Sequence, residues 1–225
     1  MGFLWGFFKP LLYLLIFIVI FSSQMSINHY VLYATSGLIF WFFFANVTNQ
    51  SVASILGSSA IIKSLSIPLV IFPFSELLSE LFNFLLTVFV FLVIMHWFGL
   101  QYNAKLVLIL PCMLLFSIFS LGITLALSSL NVFFRDIGIL WAAIQPAIFY
   151  LTPIAYSEKM ISPKYSAITR FNPIYYFIKL ARAICYDDGN PSYKLWIYCC
   201  ILALVTYLIG AFIFNSLKRQ FISAI

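Results

Sequence analysis

Six stretches of this chain are apolar over roughly the length of a bilayer, and short polar breaks separate them. They cover residues 10–27, 30–47, 69–97, 106–134, 137–151 and 195–217. A hydrocarbon core takes helices of about 20 apolar residues, and only helices or closed barrels satisfy their backbone polar groups there. Composition closes the other route. The 225 residues are 64% hydrophobic and 8% charged, whereas soluble domains run nearer about 45–50% apolar and 25% charged. A water-soluble fold cannot hide so much apolar surface, because a large share of any folded surface faces solvent. The expectation is one all-α integral membrane domain over residues 1–225, with six transmembrane helices.

The breaks carry the topology. Lys9, an apolar run and Ser22-Ser23 imitate a signal peptide, but no A-x-A site follows and five more apolar segments do, so this reads as the first span. Pro10 suits a helix start, where its missing N–H has no intrahelical partner anyway. Residues 49–66, NQSVASILGSSAIIKSLS, are Ser-rich, with Val52, Ile55, Leu56, Ile61, Ile62 and Leu65 at helical spacing. That pattern predicts a short amphipathic helix at the interface, separate from the span before it. Residues 156–194 form the one long polar loop. Six spans put both termini on one side. With the termini in the cytoplasm, Lys9, Lys63, Arg135, Lys218 and Arg219 lie inside, but the long loop places Lys159, Lys164, Arg170, Lys179, Arg182 and Lys194 outside. This conflicts with a plain positive-inside count unless the loop folds as a compact or re-entrant element.

Net charge is +6, yet no basic stripe forms, so anionic headgroups rather than nucleic acid are the expected partner. Cys112, Cys199 and Cys200 lie in apolar runs and Cys185 in the loop; without a CxxC pair, neither zinc nor a disulfide framework is indicated. No metal site is expected.

Few residues are placed to carry chemistry. Glu76 and Glu80 sit one turn apart near the start of the third span and share a helix face. They form either a proton or cation site or a headgroup-level anchor, and their place near the boundary favours the anchor. Arg135-Asp136 interrupts two apolar runs and predicts a tight turn at the membrane surface, either plain punctuation or a polar knot transmitting force from a soluble partner. GSSAIIKS at residues 57–64 imitates G-x-x-x-x-G-K-[ST], but Ile62 replaces the second glycine and no strand precedes it, so the chain is not expected to bind ATP. His29 and His96 stand singly at span ends, and no Ser-His-Asp grouping, GxSxG or HExxH occurs. Tyr150, Tyr156, Tyr165, Tyr175 and Tyr176 cluster around the long loop. Aromatic faces there serve an interfacial belt, or stack on sugar rings.

Laid in order, LWGFFKPLL, GSSAIIKSLSIPLVIFPFSELLSELFNFLL, NVFFRDIGILW, YLTPIAYSEKMI and RFNPIYYFIKLAR resemble the type-2 ABC exporter permeases. The closest likeness is to the branch exporting O-antigen, capsule and teichoic-acid chains. The resemblance implies a multi-pass permease of the cytoplasmic (inner) membrane, working as a homodimer on a lipid-linked glycan. A separate P-loop ATPase subunit would hold ATP with Mg, and this chain no cofactor. Residues 49–66 would be the cytoplasmic coupling helix, touching the ATPase through Ile55, Leu56, Ile61, Ile62 and Lys63, with Arg135 and Asp136 as a second contact. The stretch after Pro153, with Tyr175 to Arg182, would form re-entrant helices at the extracytoplasmic exit, where Pro153, Tyr156, Asn172, Pro173, Tyr175 and Tyr176 line the gate or substrate path. The family usually carries an Arg- and Lys-rich amphipathic segment ahead of LWxxxxP, whereas Met1 almost abuts that motif here; the expectation is either an N-terminally truncated chain or a misassigned start. Competing expectations are a drug or small-lipid exporter of the same family, a polytopic membrane transferase and a secondary transporter. A transferase calls for clustered His, Asp or Arg at one face, and a secondary transporter for inverted repeats with mid-membrane charges; neither pattern is visible.

Overall fold

The structure, a computed structural model, describes residues 12, 13, 15, 16, 19, 29–65, 67–98, 102–162, 164, 166–185 and 191–221. Among them there are helices and no strands. In order they are α1 (Tyr30–Gly57), α2 (Ser59–Ser64), α3 (Ile71–Trp97), α4 (Ile109–Phe133), α5 (Asp136–Leu151), α6 (Ser166–Phe171), α7 (Pro173–Cys185) and α8 (Tyr193–Leu217). A 3-10 turn, Ala104–Leu108, runs into α4, and another, Lys218–Gln220, closes α8. Most of the first expected span lies outside the described residues; residues 12, 13, 15, 16 and 19 of it are helical.

Among the described residues, four helical stretches are long and apolar enough to cross a membrane: Tyr30–Gly57, Ile71–Trp97, Ala104–Phe133 and Tyr193–Gln220. α5 has 16 residues, about 24 Å of helix against a hydrocarbon core of about 30 Å. It is apolar but shorter than the other four.

α1 occupies the centre and packs against α3, α4, α5 and α7. Its hydroxyls explain how a central membrane helix carries so many polar residues. Thr35 donates to the Val31 carbonyl at 2.6 Å, Ser36 to Tyr33 at 2.9 Å and Thr48 to Phe44 at 2.8 Å, so each is satisfied within the helix. Phenylalanines fill the space between helices. Phe43 stacks on Phe84 of α3 at 4.4 Å, Phe40 meets the same ring edge-on at 5.1 Å, and Phe177 of α7 lies 5.1 Å from Phe116 and 5.2 Å from Phe119 of α4. Much of the aromatic content is therefore bundle core, not interfacial belt. α3 and α8 instead turn apolar side chains outward, among them Phe89 and Phe212, as lipid-facing helices do.

Two expectations are corrected here. α1 does not stop near Val47: it runs on to Gly57, and only Ser59–Ser64 is a separate helix. Asn46, Thr48, Asn49 and Gln50 find partners on neighbouring helices, as described below, so this stretch has no reason to leave the bundle. The segment 156–194 is not a polar loop either. α7 buries Ile174, Phe177, Ile178, Leu180, Ile184 and Cys185 against α1, α4 and α8, and Tyr175 and Arg182 of the same helix are buried with them.

The tightest crossing joins α4 to α8. A Cβ built on Gly210 would fall on the carbonyl of Gly122, and one built on Gly122 would fall on the backbone at Thr206. In a bilayer, helices gain no hydrophobic free energy from meeting, so close backbone approach at small residues supplies the contact. Gly210→Ala should therefore push the helices apart and cost about 1–3 kcal/mol, lowering the thermal unfolding midpoint of the detergent-solubilised protein. Gly57→Ala, whose Cβ would meet nothing within 4 Å, should leave that midpoint unchanged.

Candidate functional site

The helices define two ends of the bundle. The end of α1, α2, the start of α3, the α4–α5 turn and the end of α8 lie at one; α6, α7 and the start of α1 mark the other.

At the α2 end, the expected coupling residues divide. Ile55 is fully buried, and Leu56 and Ile62 pack partly buried against a small core of Leu125, Val132, Phe214 and Phe221. Ile61 and Lys63 face outward. Arg135 and Asp136 are exposed at the tight turn between α4 and α5, as the sequence predicts. Asp136 lies in the first turn of α5, where the helix dipole favours an acid. A residue passed over in the sequence ties these parts together: Asn131 Nδ2 donates to the Val52 carbonyl at 3.0 Å, and its Oδ1 accepts from the Gly138 N–H at 3.1 Å. The turn is thus tied to the last two turns of α1. Asn131, an amide two residues inside the end of an apolar run, was the available signal.

Midway along α1, two buried polar residues on neighbouring helices meet its amides. Glu80 is 8% exposed; its carboxylate accepts from Gln50 Nε2 at 2.8 Å and from Asn46 Nδ2 at 3.3 Å. The headgroup-level anchor expected at Glu80 is therefore corrected: its place in the third turn of α3 lies against α1, and amides rather than water satisfy it. Glu76, one turn earlier, is half-buried. On α5, Gln145 donates to the Ala45 carbonyl at 3.1 Å and to Thr48 Oγ1 at 3.0 Å, and accepts from Asn49 Nδ2 at 2.7 Å. Beside that pair opens a cleft of about 190 Å³ between α1 and α5, walled by Tyr13, Trp41, Phe42, Phe149 and Tyr150, with Asn49 and Gln145 as its amides. Its rings contact one another, with Trp41 5.2 Å from Phe149 and Tyr13 5.2 Å from Phe42. Pro146, next to Gln145, interrupts the hydrogen-bond ladder of α5 at this level. The cleft can stack flat, CH-rich faces and offer hydrogen bonds, but it holds no charge.

At the α7 end the residues expected at the exit each bond to near neighbours. Asn172 caps α7: its Oδ1 accepts from the Ile174 N–H at 3.0 Å, and Pro173 takes the first helical position. The same amide donates to Thr152 Oγ1 at 2.7 Å, joining α7 to the end of α5. Pro153 is buried. Tyr156 donates to the Tyr150 carbonyl at 2.7 Å, and burial raises its phenol above the usual value. Tyr175 accepts from Lys179 Nζ at 2.8 Å; burial, with Glu158 nearby, pushes its phenol up. Tyr176 donates to the Arg170 carbonyl at 2.9 Å and lies 4.3 Å from the ring of Tyr198. Tyr165 lies outside the described residues.

The residue that organises this end is Arg182, which composition counts merely as a loop charge. It is 8% exposed. Its guanidinium donates to the carbonyls of Pro153 and Ile154 at 2.9 Å each and of Tyr33 at 3.1 Å, reaches Ser36 Oγ at 3.5 Å, and lies 3.5 Å above the Tyr33 ring. Tyr30 and Tyr33 extend the tie by donating to the Ala155 and Tyr156 carbonyls, both at 3.0 Å. Gly37 makes room, since a Cβ there would meet Arg182 Nη2 at 2.9 Å. The irregular backbone 153–156 thus has its carbonyls satisfied by α1 and α7. Non-helical chain at bundle depth is stable only when protein groups do this.

Arg182→Met should leave the Pro153 and Ile154 carbonyls short of a donor and lower stability by about 3 kcal/mol or more. Arg182→Lys should recover only part, because an ammonium cannot span three acceptors and a ring as the planar fork does. Thermal unfolding in detergent measures both.

Comparison with known proteins gives the family. The ABC-2 type transporter family profile matches residues 1–186. The O-antigen export system permease protein RfbA of Klebsiella pneumoniae is 30% identical over 223 residues, covering 98% of this chain and 86% of that protein. The protein of the same name from Myxococcus xanthus is 25% identical, covering 100% of this chain and 88% of its own length. The capsule polysaccharide export inner-membrane protein CtrC of Neisseria meningitidis is 22% identical, covering 93% and 81%. With its matched profile, its near-complete overlap with these permeases and its apolar helical bundle, the chain belongs to the ABC-2 type transporter family.

Proposed function

We propose that this chain is the permease subunit of an ABC exporter that moves lipid-linked polysaccharide across the cytoplasmic (inner) membrane. It pairs with a second copy of itself and with a separate P-loop ATPase that binds ATP with Mg; the chain itself binds no cofactor. Both termini and the α2 end face the cytoplasm, and the α7 end faces outward. The relatives named for O-antigen and capsule export support the cargo class. The observation that carries the reading is the cleft beside Gln145, whose walls are aromatic and whose polar groups are neutral amides.

A glycan chain must pass without being held. Aromatic faces contact the CH-rich faces of sugar rings with little demand on hydroxyl pattern, and two amides add exchangeable hydrogen bonds. A fixed charge would bind any acidic sugar too strongly at one point, whereas conduction calls for weak, repeated contacts. On the cytoplasmic side, the ATPase would act on α2 and on the turn at Arg135-Asp136. Asn131 links that turn to α1, so displacement there reaches the helix that forms one wall of the cleft.

Trp41→Ala combined with Phe149→Ala should lower surface polysaccharide several-fold in a complemented deletion strain, read by immunoblot, while ATP hydrolysis by the assembled complex persists. Full export by that variant would remove the cleft from the path. Arg135→Ala should reduce export with the permease still inserted in normal amount, as judged by membrane fractionation; unchanged export would end the assignment of a coupling role to that turn.

A further inference from the structure

The apolar interior is divided. Besides the main core there is a second, smaller one at the α2 end, built from Ile55, Leu125, Val132, Phe214 and Phe221, with Leu56 and Ile62 packed on it. Among the described residues, Leu121 is the side chain that packs on both. Phe221 is fully buried in the second core, although it follows Lys218 and Arg219, the charges at which a membrane helix ordinarily ends. The 3-10 turn Lys218–Gln220, with the Phe221 N–H donating to the Lys218 carbonyl, tightens the last turn of the helix before Phe221. The phenyl ring is thereby brought edge-on to Phe214 at 5.6 Å and to within 5.8 Å of Phe133. It fills the space shared by the ends of α1, α4 and α8, on the side where α2 inserts Ile62.

We propose that Phe221 is a positioning residue for transport: a wedge that makes α2 bear on the ends of α4 and α8 as well as on α1. The inference rests on the reading of α2 as the ATPase-facing helix. A close-packed interior transmits displacement because its side chains have no free volume to move into. With Phe221 in place, an inward shift of α2 carries Ile62 and Leu56 against a filled core and moves all three helix ends together. Without it, a phenyl-sized void lies in the core against which Ile62 packs, and the same shift is absorbed locally. ATP would then be hydrolysed without proportionate export. α4 and α8 are the pair locked by the Gly122–Gly210 crossing, so load delivered to their ends acts on one stiff unit.

The test uses the complete exporter in membranes and measures polysaccharide exported per ATP hydrolysed, for assembled complex only. Phe221→Ala should lower this ratio several-fold, and Phe221→Leu should lie between it and the unaltered chain. Phe177→Ala, which removes a fully buried ring from the main core, should reduce the amount of complex but leave the ratio intact. A Phe221→Ala ratio equal to that of the unaltered chain overturns the wedge, as does an equal fall in Phe177→Ala. If Phe221→Ala does not assemble, Phe221→Leu decides, and a normal ratio there overturns it. Failure of the unaltered chain to export with any ATPase would instead remove the reading on which the inference stands.

Discussion

A hydrogen-bonding group placed in hydrocarbon has no water to turn to, and in this protein the helix at the centre carries many such groups. α1 resolves the conflict partly by itself, with Thr35, Ser36 and Thr48 bonding back to their own helix. Others of its polar groups are matched by particular residues elsewhere: Asn46 and Gln50 by Glu80, Asn49 by Gln145, the Val52 carbonyl by Asn131 and the Tyr33 carbonyl by Arg182. Each match fixes where a neighbour sits along and around α1. Apolar packing alone leaves helices free to slide or rotate, because one Leu–Phe contact resembles another. Unsatisfied amides in lipid do not permit that freedom.

The same matches give the bundle different characters at its two ends. At the α7 end, a guanidinium with neutral partners holds irregular backbone onto the start of α1, so α5, α7 and α1 meet at one point. Charge-assisted bonds to three carbonyls make this end stiff. At the α2 end the join is apolar, a small core plus the single amide of Asn131. Dispersion contacts hold this end together without fixing it through directed bonds. Between them, the aromatic cleft lies where α5 is interrupted by Pro146.

An exporter of long glycans needs a surface that binds sugars weakly along its length and a way to move that surface. The cleft residues come from α1, α5 and the N-terminal helical segment at Tyr13. Two of these elements are tied through Gln145 and Asn131 to the end where α2 sits. A shift of the α4–α5 turn is therefore felt by α5 at its start and by α1 through Val52. Coupling of this kind needs no soluble domain in the chain itself.

Much was legible without coordinates. Membrane residence follows from runs of apolar residues too long for water to tolerate, and the starts of α1, α3 and α5 and the end of α8 fall within two residues of the periodicity and its polar breaks. The turn at Arg135-Asp136 was legible for the same reason, since two charges between apolar runs have to reach the surface. What hydropathy could not decide was the fate of polar residues within or beside those runs. Asn49, Gln50 and Ser51 read as an exit from the membrane, Glu80 as a headgroup contact and Arg182 as a loop charge. All three readings treat a polar side chain as seeking water. Whether it finds water or another side chain depends on residues up to 149 positions away in sequence, as between Tyr33 and Arg182, and only the packed bundle brings those partners within reach.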